Sequence, residues 1–220
     1  GHDLSKELEL KDRLDTAAAL GVALDVCDGL EEVHKLGIVH RDLKPENVFL
    51  VTRKRGIPPL VKIMDFGIAH VREAAEPDQS RLTRDGVNMG TPAYMAPEQW
   101  RRATGIDKRA DIFSLGIMLY ELLEGRTPFD GETADALMVA PVCSAPHPMR
   151  FTDADLQAIV FKTIAVEPDD RFQSAGELAA ALEQYGRNRS LLPEPQRVSA
   201  EIVEIVRQPV ARPPALETGM

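Results

Sequence analysis

Four side chains in two short stretches have the types and spacing that phosphate chemistry uses. Asp42, Lys44 and Asn47 fall within "GIVHRDLKPENVFL" (residues 37–50), and Asp65 opens "DFG". A polar loop between aliphatic flanks is a loop anchored in a core at both ends, which is where chemistry is usually placed. If the segments after Asn47 and before Asp65 pair as a hairpin, Asn47 at its entry and Asp65 at its exit come together. An amide oxygen beside a carboxylate suits a hard cation such as Mg²⁺, whose remaining positions go to phosphate and water. Asp42 is then a carboxylate near the cation but not on it, able to orient a hydroxyl and take its proton. Lys44, from the same loop, can neutralise a phosphate oxygen. Together these are the parts of a phosphoryl-transfer site.

Several elements must hold those residues in place. Residues 14–36 are expected to be helical, because Leu20, Leu24 and Cys27 recur at helical spacing, as do Ala23, Val26, Leu30 and Val33. Gly37 ends that helix. "NVFLV" (47–51) and "LVKIM" (60–64) read as short strands joined by "TRKRGIPP", whose Gly and Pro pair mark a turn and whose Arg53–Arg55 run reads as a solvated tip. Residues 71–88 lack apolar periodicity and read as a mobile loop. Residues 107–124 are apolar nearly all round, the signature of a helix buried inside a domain. Residues 152–165 and 174–185 read as helices with Thr152 and Ser174 as N-caps, and Glu177 completes a capping box with Ser174. The predicted fold is mainly α: a helical bundle around a buried central helix, with a small β-hairpin next to the polar loop. Residues 1–186 form the folded unit. Residues 187–220, with five of the sixteen prolines, read as a largely disordered tail.

The formal net charge of −9 argues against nucleic acid as a partner but leaves a nucleotide site possible, since that needs only local positive charge or a metal. Neither Cys27 nor Cys143 belongs to a CxxC or Cys/His cluster, so both read as free thiols in a reducing compartment. No apolar run is long enough to span a membrane and no signal peptide is visible, which points to a cytoplasmic chain. Anchoring of a parent protein beyond the tail is left open.

"HRDLKPEN" (40–47), "DFG" (65–67) and "APE" (96–98), in that order, resemble the Hanks-type protein kinases. "GTPAYMAPEQW", "GRTPFDGET" and "PDDRFQSAGELAAAL" resemble the bacterial serine/threonine branch. The resemblance covers about residues 1–185 and implies ATP and Mg²⁺ as cofactors and Ser/Thr-containing proteins as substrates. By position it makes Asp42 the catalytic aspartate, Lys44 the lysine on the transferred phosphate, and Asn47 and Asp65 the metal ligands. Phe49 would lie beneath adenine. Thr91 would bond the catalytic Asp and Lys. His40, Phe66 and Gly67 would be structural. Glu98 and Arg171 would form a buried ion pair, and Asp111 would brace the catalytic-loop backbone. Arg41, directly before Asp42, goes in the family with control by phosphorylation, for which Ser80 and Thr83 are the candidate acceptors.

The sequence also departs from the family. No glycine-rich GxGxxG loop and no VAIK-type lysine is found, and the chain starts with Gly1 rather than Met. The expectation is a C-terminal lobe beginning at the hinge, its N-terminal lobe missing and the isolated chain inactive, with Phe49 and Phe66 exposed on the upper face. Asn47 to Asp65 spans 18 positions, longer than usual for the family. A non-catalytic scaffold or substrate-binding module is the competing reading. A small-molecule phosphotransferase of the aminoglycoside-kinase kind shares the HxDxxxxN loop but lacks the APE segment, so Ala96–Glu98 argues against it.

Overall fold

The chain folds, in a computed structural model, around one helix that solvent hardly touches. The structure describes residues 1–54, 58–66, 92–101 and 105–192. Gly67, Ser80, Thr83, Thr91, the hairpin tip at 55–57 and the tail from 193 onward lie outside the described residues.

The described elements run β1 (His2–Asp3), α1 (Leu4–Lys11), α2 (Thr16–Lys35), a 3₁₀ turn (Pro45–Asn47), β2 (Val48–Val51), β3 (Leu60–Ile63), a second 3₁₀ turn (Pro92–Tyr94) and α3 (Pro97–Trp100). They continue with α4 (Arg109–Glu124), α5 (Ala134–Cys143), α6 (Ala154–Thr163), a third 3₁₀ turn (Pro168–Asp170) and α7 (Ala175–Asn188). Helix α4 is the expected central helix: fourteen of its sixteen residues are buried, among them Ile112, Phe113, Leu115, Ile117, Met118 and Leu119. Gly125, in the left-handed region at φ 74°, ends it. Its flanks are filled by α2, α6 and the second 3₁₀ turn. Helix α2 also packs along α7, where the Glu31 carboxylate accepts the Gly176 N–H at the start of α7. Cys27 is fully buried on α2, whereas Cys143 is exposed at the end of α5; both are free thiols.

The small sheet differs from a bare hairpin. It has three antiparallel strands in the order β1–β2–β3, with Val48 opposite Ile63 and His2 opposite Leu50. Two-residue β1 is too short to show a period, and α1 buries only Leu4, so neither carries an amphipathic signal. Asp3 caps α1 by accepting the Lys6 N–H at 2.8 Å. Phe49 and Phe66 are half-buried rather than exposed: Phe66 packs against the core and tilts against the His40 ring.

Three further local expectations shift. The N-cap of α6 is Asp153, not Thr152; its carboxylate accepts the Leu156 N–H at 3.0 Å and adds a charge that suits a helix N-terminus. Ser174 does cap α7, but the Glu177 carboxylate reaches the Gln173 N–H at 2.8 Å rather than that of Ser174, so the box closes one residue earlier. Helix α7 runs through Gly186 to Asn188. Leu191 and Leu192 then fold back onto the core, Leu192 against Gly186, so residues 187–192 belong to the folded unit rather than to the tail. Among the described residues no helix is long and apolar enough to cross a membrane.

Candidate active site

The polar loop is clamped through its backbone. Asp111, in the first turn of α4 and fully buried, accepts the His40 N–H on one carboxylate oxygen and the Arg41 N–H on the other, both at 2.8 Å. The His34 ring of α2 takes the same carboxylate at 2.7 Å through Nε2, and is itself only 3% exposed. Among the described residues the buried His34 Nδ1 has no hydrogen-bond partner. The second clamp is Gln99 of α3, whose amide nitrogen donates to the Arg41 carbonyl at 2.8 Å. Between them sits Arg41 at φ 67°, a conformation that costs a non-glycine residue about 1–2 kcal/mol.

His40 links this loop to the β3 end. The Asp42 N–H donates to His40 Nδ1 at 3.3 Å, so Nδ1 is the acceptor and the Nε2–H donates to the Met64 carbonyl at 2.9 Å. The Met64 N–H in turn donates to the Asn47 carbonyl at 2.8 Å. Residue 47 and the start of the Asp-Phe-Gly turn are therefore backbone neighbours, as the hairpin register requires. Asp65 itself is exposed and left-handed at φ 55°.

Within the loop, Asn47 donates its amide nitrogen to the Asp42 carbonyl at 2.7 Å and to the Asp42 carboxylate at 3.2 Å. The Lys44 ammonium approaches the same Asp42 carboxylate at 3.0 Å. The Asp42 side chain remains 40% exposed and Lys44 17%, so both charges are open to a substrate while their backbones are fixed. With its nitrogen committed to Asp42, Asn47 has its amide oxygen to offer a cation. That oxygen and the Asp65 carboxylate are each hard donors of the kind Mg²⁺ accepts. Among the described residues there is no cluster of three or more His, Cys, Asp and Glu side chains that could hold a metal by themselves.

The anchoring pair expected between Glu98 and Arg171 is in place. Two parallel bonds of 2.8 Å join guanidinium and carboxylate, and Arg171 is 2% exposed. Its remaining donors go to the carbonyls of Ala165, Val166 and Arg109, so every face of a buried cation is satisfied. Nearby, the Tyr94 hydroxyl donates to Glu121 of α4. Burial raises the Glu121 carboxyl above its ordinary value; the Tyr94 hydroxyl opposes this, and the negative charge of Glu46 adds to it.

Residue types and spacing point to Asp42, Lys44, Asn47 and Asp65, and the family resemblance points to Glu98, Asp111 and Arg171, but neither points to His34 or Gln99. His34 could have been found from its place as the penultimate residue of α2, close to the loop. Gln99 gave no signal, because its partner is a main-chain carbonyl 58 positions away.

Comparison with known proteins gives the same picture. Residues 1–184 match the protein kinase domain model. The chain is 42% identical over 174 residues to the serine/threonine-protein kinase Pkn1 of Myxococcus xanthus, covering 77% of this chain and 24% of that protein. It is 36% identical over 202 residues to the probable serine/threonine-protein kinase PknB of Corynebacterium glutamicum, covering 88% of this chain and 30% of the relative. With the serine/threonine-protein kinase PknB of Mycolicibacterium smegmatis it shares 39% over 168 residues, covering 74% and 25%. The chain thus spans about a quarter to a third of the length of these relatives. A clamped HRD loop joined to an Asp-Phe-Gly strand end, a bidentate Glu98–Arg171 pair and a domain match over 184 residues lead to one statement: the chain belongs to the protein kinase domain family, in its bacterial serine/threonine branch.

Proposed function

We propose that the chain carries the catalytic loop and substrate-facing half of a serine/threonine protein kinase, corresponding to the family's C-terminal lobe. The observation that carries this reading is the pinning of Asp42: its backbone is held through Arg41 and His40, while its carboxylate meets Lys44 and Asn47 and stays open to solvent. A carboxylate fixed from behind and open in front can orient an incoming Ser or Thr hydroxyl and accept its proton as the oxygen attacks phosphorus. The new O–P bond forms on the hydroxyl oxygen, the bond to the leaving ADP breaks, and the proton goes to Asp42. Lys44, 3.0 Å from Asp42, neutralises a transferring phosphate oxygen.

The Asn47 amide oxygen and the Asp65 carboxylate would hold Mg²⁺, which supplies charge neutralisation on the ATP phosphates. Phe49, half-buried on β2, would lie under the adenine. Thr91 would complete the Asp42–Lys44 pair. Arg41, with Ser80 and Thr83 as phosphate acceptors, would give control by phosphorylation. The glycine-rich loop and strand lysine of the family have no match within the chain, so the test uses the protein at its natural length. There, Asp42→Asn is expected to lower transfer of labelled phosphate from Mg-ATP to Ser/Thr proteins by about 10²–10⁴-fold, the usual range for a general base. Transfer at the wild-type rate by Asp42→Asn would end this reading, and absence of transfer by the wild type would leave the scaffold alternative standing.

A further inference from the structure

Gln99 uses both ends of its side-chain amide. Its oxygen accepts the Ala96 N–H at 3.0 Å, closing the start of α3, and its nitrogen donates to the Arg41 carbonyl at 2.8 Å. The acceptor belongs to the peptide that joins Arg41 to Asp42. The other side of Arg41, its N–H, is held by Asp111. The left-handed Arg41 is thus gripped at both of its peptide groups, from two different helices. Without both grips, nothing in the φ preference of an arginine keeps the chain in that conformation. Any rotation of the Arg41–Asp42 peptide re-aims the Asp42 side chain that follows it. The neighbouring residue on α3, Glu98, is tied to the buried Arg171. Helix α3 is therefore fixed to the body through one side chain and to the catalytic loop through the next.

We propose that Gln99 is a positioning residue for Asp42, holding the Arg41–Asp42 peptide so that the carboxylate points at the substrate. This rests on the phosphoryl-transfer reading and adds to it a residue outside the catalytic motifs. A purely local role makes a different prediction. A helix cap at this position accepts Glu as readily as Gln, because only the side-chain oxygen is used. The bond to Arg41 needs an N–H donor, which Gln has and Glu lacks.

Gln99→Glu therefore separates the two roles at constant size. In the protein at its natural length, Gln99→Glu is expected to lower kcat for phosphate transfer about ten-fold per folded molecule, the rate equivalent of one hydrogen bond, with the KM for ATP unchanged. Gln99→Met, which loses both contacts, lowers kcat similarly and lowers Tm further than Gln99→Glu does. Wild-type kcat in Gln99→Glu overturns the proposal. A second readout does not depend on turnover: hydrogen exchange of the Asp42 amide. Faster exchange in Gln99→Glu than in wild type supports the grip on this peptide, and equal exchange overturns it, whether or not the protein transfers phosphate. Absence of transfer in the wild type with the exchange effect intact would locate the failure in the kinase reading instead.

Discussion

The two ends of α4 carry the same device with different consequences. At the N-terminal end, Asp111 accepts the backbone N–H groups of His40 and Arg41. At the C-terminal end, Glu124 accepts those of Arg150 and Phe151 at 2.9–3.0 Å. Both carboxylates are buried, and both tie a loop to the central helix. The loops differ. The Asp111 loop contains a left-handed arginine and delivers Asp42 to solvent. The Glu124 loop carries Phe151, half exposed with the Arg13 guanidinium 4.0 Å above its ring, and bears none of the candidate catalytic residues. Equal hydrogen bonding thus serves positioning at one end and anchoring at the other. The distinction lies in what the clamped backbone presents, not in the clamp.

Substitutions at the two ends should separate these roles, and the largest effect is expected at the first. Asp111→Asn keeps one acceptor and turns an amide N–H₂ toward the second backbone donor. Stability should fall by about 1–3 kcal/mol for the orphaned N–H, and the transfer rate should fall about ten- to hundred-fold beyond the loss of folded protein. Kinetics normalised to active-site concentration would check this; a variant that loses stability but not normalised rate would make the two ends equivalent. Next comes Arg171, which also serves the N-terminal end by donating to the Arg109 carbonyl. Arg171→Met strands Glu98 and three carbonyls, and should cost about 3–5 kcal/mol in denaturant unfolding.

The legibility of the molecule follows the same division. Asp42, Asn47 and Asp65 could be read as candidates because their types and spacing lie within two short stretches of sequence. Asp111 is legible only through the resemblance to the kinase family, since an acid in a first helical turn is by itself only a favourable charge. Helix α4 itself was plain, since apolarity nearly all round a segment of this length has few other meanings. Short β1 and α1 were not legible: two residues have no period, and a helix burying one leucine has no stripe. The N-cap at Asp153 was misjudged by one residue because Thr152 and Asp153 are both good caps and only packing decides between them. Gln99 acts through a main-chain carbonyl 58 positions away, and nothing in its own type announces that.

At the C-terminal end of α4, Glu124→Gln retains one oxygen for the Arg150 and Phe151 amides and loses the other. A loss of about 1–3 kcal/mol is expected, with the transfer rate per folded molecule unchanged. Thermal unfolding paired with an activity assay on the same sample would measure both. A fall in normalised rate would show that this end, too, positions the site.

The smallest effect is expected between the two ends, at Glu121. Its carboxyl titrates above the ordinary value of 4.5, chiefly because burial disfavours the charged form; the Tyr94 hydroxyl opposes this and Glu46 reinforces it. A carboxyl raised in the folded state holds its proton more tightly there than in the unfolded chain. Its favourable contribution is fully present below 4.5 and is lost as pH rises through the higher folded value. At neutral pH the folded protein therefore carries a charge that it disfavours. Glu121→Gln removes that charge and keeps an oxygen for the Tyr94 hydroxyl, so its Tm should exceed the wild-type value at neutral pH. The difference should close as the pH falls toward 4.5. Tm measured across that window for both proteins checks the sign: a variant less stable at neutral pH, or an excess that grows on acidification, would mean that the Tyr94 hydroxyl, rather than burial, governs Glu121.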